Sequence, residues 1–180
     1  MAFAKSFYSL LPLLVIFLAI QPTLSNAQNP EEVINKICRS MEEFGFCNQT
    51  FHQNLRSPAA TVVDLAQITI EQASSNATNT HAFILNLLGE TTEPALKNAL
   101  TECENAYKIV GDSFQRALVS FNNKDYDGMR DAERDTPRAE ASCTTTFNTP
   151  PNPVNPLDDR NRQMRILIAM AVVTASELTS

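Results

Sequence analysis

The chain has 180 residues, with 14 basic and 20 acidic side chains, a formal charge of −6 and a pI near 4.9. That acidity, without a basic stripe anywhere, argues against nucleic acid and anionic membranes as partners. Only four glycines and no lasting alternation of apolar and polar residues point to an all-α fold.

Residues 1–27 read as a signal peptide. Lys5 supplies a positive start, Leu10 to Ile20 an apolar stretch, and Ser25-Asn26-Ala27 small residues at the cleavage positions. The apolar run is too short to span a bilayer, so no membrane association is expected after cleavage. Losing Lys5 with the leader leaves 13 basic against 20 acidic residues, a net charge of −7. Residues 28–180 then fit one domain of adequate core size.

In an oxidising compartment the four cysteines imply two disulfides, with three connectivities open on the count alone. A zinc site lacks support, because there is no Cys-x-x-Cys and only His52 and His81 are present. Two glycosylation acceptors follow the leader, Asn48-Gln49-Thr50 and Asn76-Ala77-Thr78.

Asn29-Pro30-Glu31-Glu32 has the form of a helix start, with a cap, a proline at the first position and acids against the dipole. Val33, Ile34, Ile37 and Met41 continue it until Gly45 interrupts the pattern. Phe46 to Leu55 predicts a second short helix. Residues 28–57 are therefore expected to form a helical hairpin pinned by Cys38 and Cys47. Thr61 to Leu88 is the next helix, with Val62, Ala66, Ile70, Ala73, Ala77, Ile84 and Leu87 inward and Gly89 as its stop.

Leu96 to Phe121 carries the clearest signal. Leu96, Leu100, Cys103, Tyr107, Val110, Phe114, Ala117 and Phe121 alternate steps of four and three, which only a helix produces. Thr92 is its expected N-cap, and Asn122-Asn123 its end. Lys124 to Phe147 predicts a further helix with Tyr126, Met129, Ala132, Ala139, Cys143 and Phe147 on one face, kinked or divided at Pro137. Positions 103 and 143 are equidistant from residue 123, where the turn falls. Two antiparallel arms of equal length place those sulfurs at one height, which predicts Cys103–Cys143 and leaves Cys38–Cys47. The longer loop is worth about 4 kcal/mol on a chain-entropy argument.

Four prolines between Asn148 and Asp159 mark an extended linker, with Asp158 or Asp159 capping the last helix. From Asn161 onward Met164, Ile168, Ala171, Ala175 and Leu178 form its stripe. The architecture expected is an up-down four-helix bundle behind an N-terminal helical hairpin.

Catalytic groups do not converge in this sequence, and no cofactor is expected. There is no Gly-rich phosphate loop, no His-Glu-x-x-His, and no thiol beyond the two bridges. The acidic run Asp125, Asp127, Asp131, Glu133, Asp135 lacks the glycine and terminal glutamate of a calcium loop and reads as a solvated helix face.

Several motifs in order resemble the plant invertase and pectin methylesterase inhibitor family. They are Cys38-x8-Cys47, Ala99-Leu100-x-x-Cys103-Glu104-x-x-Tyr107, Lys124-Asp125-Tyr126 and Cys143-x-x-x-Phe147, followed by an apolar closing helix. The resemblance implies a secreted four-helix bundle with consecutive disulfides, not an enzyme, placed in the apoplast or cell wall, or alternatively the vacuole. Its implied partner is an acid invertase or a pectin methylesterase. Many pectin methylesterase inhibitors carry Thr-x-Tyr-Pro between the first two cysteines, where this chain has Arg39 to Phe46 without that motif. Invertase inhibitors carry Pro-Lys-Phe in the hairpin after the central helix; here Asn123-Lys124-Asp125-Tyr126 keeps the lysine and an aromatic. The resemblance thus leans to the invertase side, with Lys124 and Tyr126 as the expected partner-binding residues. The competing expectations are a carrier of a small apolar ligand between helices and a glycoprotein that kept the fold without inhibiting.

Overall fold

The structure is a computed structural model and describes residues 29–179. The expected leader, residues 1–27, lies outside the described residues. Seven helices are present among them: α1 (Pro30–Cys38), α2 (Phe44–Asn54), α3 (Val62–Glu90), α4 (Pro94–Asn122), α5 (Tyr126–Glu133), α6 (Thr136–Phe147) and α7 (Asp158–Leu178). The bundle consists of α3, α4, the α5–α6 pair and α7, with α3 against α4 and α7, and α4 against α5 and α6. The hairpin α1–α2 packs on α3 and α7. None of these helices is long and apolar enough to cross a membrane.

Local chemistry sets the helix starts. Asn29 accepts the Glu31 backbone N–H at 3.1 Å ahead of Pro30. Thr61 and Asp64 form a capping box, the Asp64 carboxylate accepting the Thr61 N–H at 2.6 Å. Those bonds hold the Asp64 carboxyl below its ordinary range. For α4 the cap is Glu93 rather than Thr92: its carboxylate accepts the Leu96 N–H at 3.1 Å, a reach that Thr92 at one residue further out does not have. Asp158 and Asp159 stand inside the first turn of α7, after Leu157, instead of capping it. From there Asp159 bonds Arg162 and Gln163 one turn on.

Two glycine stops are not used. Gly45 lies inside α2 and Gly89 inside α3, whose last residue is Glu90. No glycine has a positive φ among the described residues, so neither end employs a left-handed cap. The division expected at Pro137 falls just before it, at Arg134-Asp135, and the proline occupies the first turn of α6, where its missing N–H costs nothing.

The core is one continuous cluster that includes every member of the α4 stripe except Leu96, which is partly buried and packs against it. Cys38–Cys47 spans a Cα separation of 5.5 Å and Cys103–Cys143 one of 4.4 Å, the pairing expected from spacing. Beside the second bridge, the Tyr107 hydroxyl donates to the Asn161 side-chain oxygen at 2.8 Å. The Asn161 amide nitrogen in turn lies 3.4 Å from the Cys143 sulfur. This buried group ties α4, α6 and α7 together, and burial pushes the Tyr107 phenol well above its ordinary pKa.

The hairpin is fastened by apolar contact and by charge. Ile34, Ile37 and Phe51 are fully buried. Around them Lys36 pairs with Glu177 at 2.7 Å, Arg165 forms a two-pronged pair with Glu42 at 2.7 and 2.9 Å, and Arg162 bridges Glu43 and Asp159. The Arg165 guanidinium lowers the Glu42 pKa.

Candidate partner-binding surface at the turn between α4 and α5

The α4–α5 connection is three residues long, Asn123, Lys124 and Asp125. Lys124 has φ of 59°, the left-handed conformation that a non-glycine residue adopts rarely. Hydrogen bonds close the turn around it. The Lys124 N–H donates to the Phe121 carbonyl and the Asp125 N–H to the Ser120 carbonyl, each at 2.9 Å. Asp125 then caps α5 by accepting the Gly128 N–H at 2.9 Å.

Gly128 makes that cap sterically feasible. A Cβ at this position would stand 2.1 Å from an Asp125 carboxylate oxygen and 3.0 Å from the Ser120 hydroxyl. The aromatic pair Phe121–Tyr126, with ring centroids 6.1 Å apart and planes tilted by 52°, joins the end of one helix to the start of the next. Phe121 belongs to the core, and Tyr126 packs against it half-buried. Lys124 is exposed, and its ammonium has no ion pair among the described residues.

The structure therefore brings Lys124 and Tyr126 to the same turn. Lys124 is presented outward, while Tyr126 is half-buried with its ring against Phe121. Of the residues that support the turn, the sequence places Phe121 on the core stripe and Asp125 in the acidic run and the Lys124-Asp125-Tyr126 motif, and it is the close approach at Gly128 that sequence reasoning misses. The signal available was Asp125 followed three residues later by a glycine, the spacing of a capped helix start.

One expectation for this region is corrected. Glu133 is not on a solvated face: it is 1% exposed, with neither carboxylate oxygen hydrogen-bonded. Burial raises its pKa to about 7. Met129 and Glu133 are one turn apart, so the carboxylate points to the same side as the methionine. The glycosylation acceptors lie elsewhere. Asn48 is half-buried on α2 and Asn76 half-buried in the middle of α3. His81 is partly exposed, with its Nε2 3.0 Å from Glu104.

Comparisons with known proteins follow the same outline. The family model of the plant invertase/pectin methylesterase inhibitors matches residues 32–176. A pectinesterase inhibitor of Actinidia deliciosa is 23% identical over 175 residues, covering 97% of this chain and 95% of that protein. A cell wall/vacuolar inhibitor of fructosidase 2 from Arabidopsis thaliana is 28% identical over 122 residues, 66% of this chain and 68% of that protein. Among solved structures, a mutant form of a pectin methylesterase inhibitor from Arabidopsis superposes with a TM-score of 0.71 at 17% identity, over 79% of this chain and 95% of that one. That last likeness establishes the helical bundle. With the family model spanning both disulfides and all seven helices save their outermost residues, the chain belongs to the plant invertase/pectin methylesterase inhibitor family.

Proposed function

We propose that the protein is a secreted inhibitor of a plant acid invertase, a β-fructofuranosidase, and that it acts by seating the α4–α5 turn in the enzyme's active-site cleft. The observation carrying this reading is Lys124: an exposed ammonium on a backbone held by two 2.9 Å hydrogen bonds, between two cross-linked arms. A glycosidase cleft holds a pair of carboxylates facing the sugar. A cation entering such a cleft displaces water, and its attraction to those carboxylates strengthens as the local dielectric falls. A rigid turn loses little conformational entropy on docking, so more of that attraction appears as affinity. The similarity to an inhibitor of fructosidase supports the choice of target.

A pectin methylesterase is the second candidate target, favoured by the pectinesterase inhibitor that matches 97% of the chain. Titrating the purified secreted protein into both an acid invertase assay and a pectin methylesterase assay separates the two. Inhibition of the invertase is expected. Lys124→Glu should weaken that inhibition by at least about thirtyfold, the scale of breaking one desolvated charge pair, with helical circular dichroism and melting temperature nearly unchanged. Full inhibition by Lys124→Glu would move the docking surface away from this turn, and inhibition of pectin methylesterase alone would replace the invertase as target.

A further inference from the structure

Where the hairpin crosses the bundle, α2, α3 and α7 enclose an open groove of about 260 Å³. Six carboxamides line it: Gln53, Asn54, Gln72, Asn76, Asn79 and Gln163. Two hydroxyls, Thr50 and Ser75, add to them, and among the described residues no ionised side chain lines the groove. Phe46 and Leu167 are the apolar side chains among them. The volume equals that of roughly nine waters at about 30 Å³ each. It falls just below the ~300 Å³ at which drug-sized clefts begin. The space suits one ring, not an extended polymer.

The composition of the walls selects the chemistry. A carboxamide carries both a donor and an acceptor, the same dual character as a sugar hydroxyl. A phosphate or uronate would call for cations, which the described lining lacks, and an apolar ligand for more apolar wall than Phe46 and Leu167 supply. Several amides are already oriented by neighbours. Gln72 donates to the Asn54 side-chain oxygen at 3.0 Å, Asn54 donates to the Thr50 carbonyl at 2.8 Å, and Gln163 donates to Asp159 at 2.8 Å. In each of Gln72 and Gln163 the carbonyl oxygen is left without a hydrogen bond from the described residues. Such preorganisation lowers the cost of binding a hydroxylated ring.

Asn76 adds an independent observation. It is both a groove wall and the acceptor of an Asn-Ala-Thr sequon, so a glycan attached there begins inside the groove. We infer that this groove is a seat for a neutral sugar ring, supplied either by an N-linked glycan on Asn76 itself or by a free oligosaccharide.

Thr78→Ala separates the two sources, because it destroys the sequon while Thr78 is exposed and outside the groove lining. In the first arm, the full chain and its Thr78→Ala variant are secreted from plant cells, occupancy of Asn76 and of Asn48 is read by peptide mass, and amide hydrogen exchange of α2 is compared between the two, so that any glycan on Asn48, itself in α2, is common to both. A seated glycan protects α2, and its removal raises exchange there. In the second arm, isotope-labelled Thr78→Ala is titrated with N,N′-diacetylchitobiose, cellobiose and sucrose while its side-chain amide resonances are followed. A free-sugar seat gives saturable shifts confined to the groove carboxamides, with a dissociation constant in the millimolar range. Asn79→Leu should weaken that binding about fivefold, the effect of losing roughly one hydrogen bond. A positive result in either arm supports the seat and names its occupant. The inference is overturned if the α2 exchange of the secreted chain does not depend on a glycan and no sugar shifts the groove amides up to tens of millimolar. Shifts that Asn79→Leu leaves unchanged overturn it as well.

Discussion

Glu133 is the residue whose environment departs furthest from its sequence context. It lies in a run of acids, yet its carboxyl is enclosed, unpartnered and raised to about 7 by burial. Such a group is protonated in the folded chain under mildly acidic conditions, while in the unfolded chain it ionises near 4.5. The folded state therefore holds the extra proton between those two values, and stability falls as pH rises through that window. Full stability from this site is present below pH 4.5 and is lost by about 7, a change on the order of 3 kcal/mol at 1.36 kcal/mol per unit. Glu133→Gln keeps the shape and has no proton to lose. Chemical denaturation from pH 4.5 to 7.5 should show the wild type losing stability relative to this variant by that amount. A constant difference between the two across the range would show that the carboxyl is solvated in solution. Glu140, also buried, is partly compensated by the Thr144 hydroxyl at 2.7 Å, so its pKa, though raised by burial, should contribute less.

Among the elements, α4 was legible almost completely and the α5–α6 pair only in part, for one reason. The α4 stripe consists of apolar residues, so its period and its burial coincide. In α5 and α6 the buried stripe is Met129, Glu133, Thr136, Glu140, Cys143 and Phe147, again in alternating steps of four and three. Half of its members are polar or acidic, so a search for apolar periodicity finds Met129, Cys143 and Phe147, adds Ala132 and Ala139 beside them, and misses Glu133, Thr136 and Glu140. The same residues show why a break at Arg134-Asp135 does not disturb packing: the stripe continues through it in register. The turn at Asn123-Lys124 was legible from symmetry, because the two cysteines are equidistant from Asn123. Its conformation was not, because the left-handed φ of Lys124 follows from the bonds on either side and has no glycine to announce it. The bridge across these arms acts mainly by shortening the unfolded chain's reach. Replacing Cys103 and Cys143 together by alanine should lower unfolding free energy by about 2–5 kcal/mol. Urea denaturation of the double variant measures it, and a loss below that range would indicate that the Tyr107–Asn161 bond and the surrounding core already hold α4 to α6 and α7.

At the scale of the molecule, the hairpin and the bundle are each closed by their own bridge, and neither bridge joins one to the other. The two loops are serial in the chain rather than interlocked. Between them runs the segment 55–61, with Arg56, Ser57, Pro58 and Ala59 exposed. A single cut after Arg56 therefore splits the protein into two covalently independent pieces without any reductant. Trypsin nicking should yield two species on a non-reducing denaturing gel, and an undivided band there would require bridges exchanged between hairpin and bundle. In native buffer the pieces should still elute together, held by Ile34, Ile37 and Phe51 and by the ion pairs from the hairpin to Glu177, Arg162, Arg165 and, through Arg56 itself, Glu71. High salt screens the exposed pairs and leaves the apolar contact, so it should loosen the nicked complex without dissolving it. The hairpin's attachment then becomes a bimolecular equilibrium that can be titrated, a measurement that interlocked bridges would have forbidden.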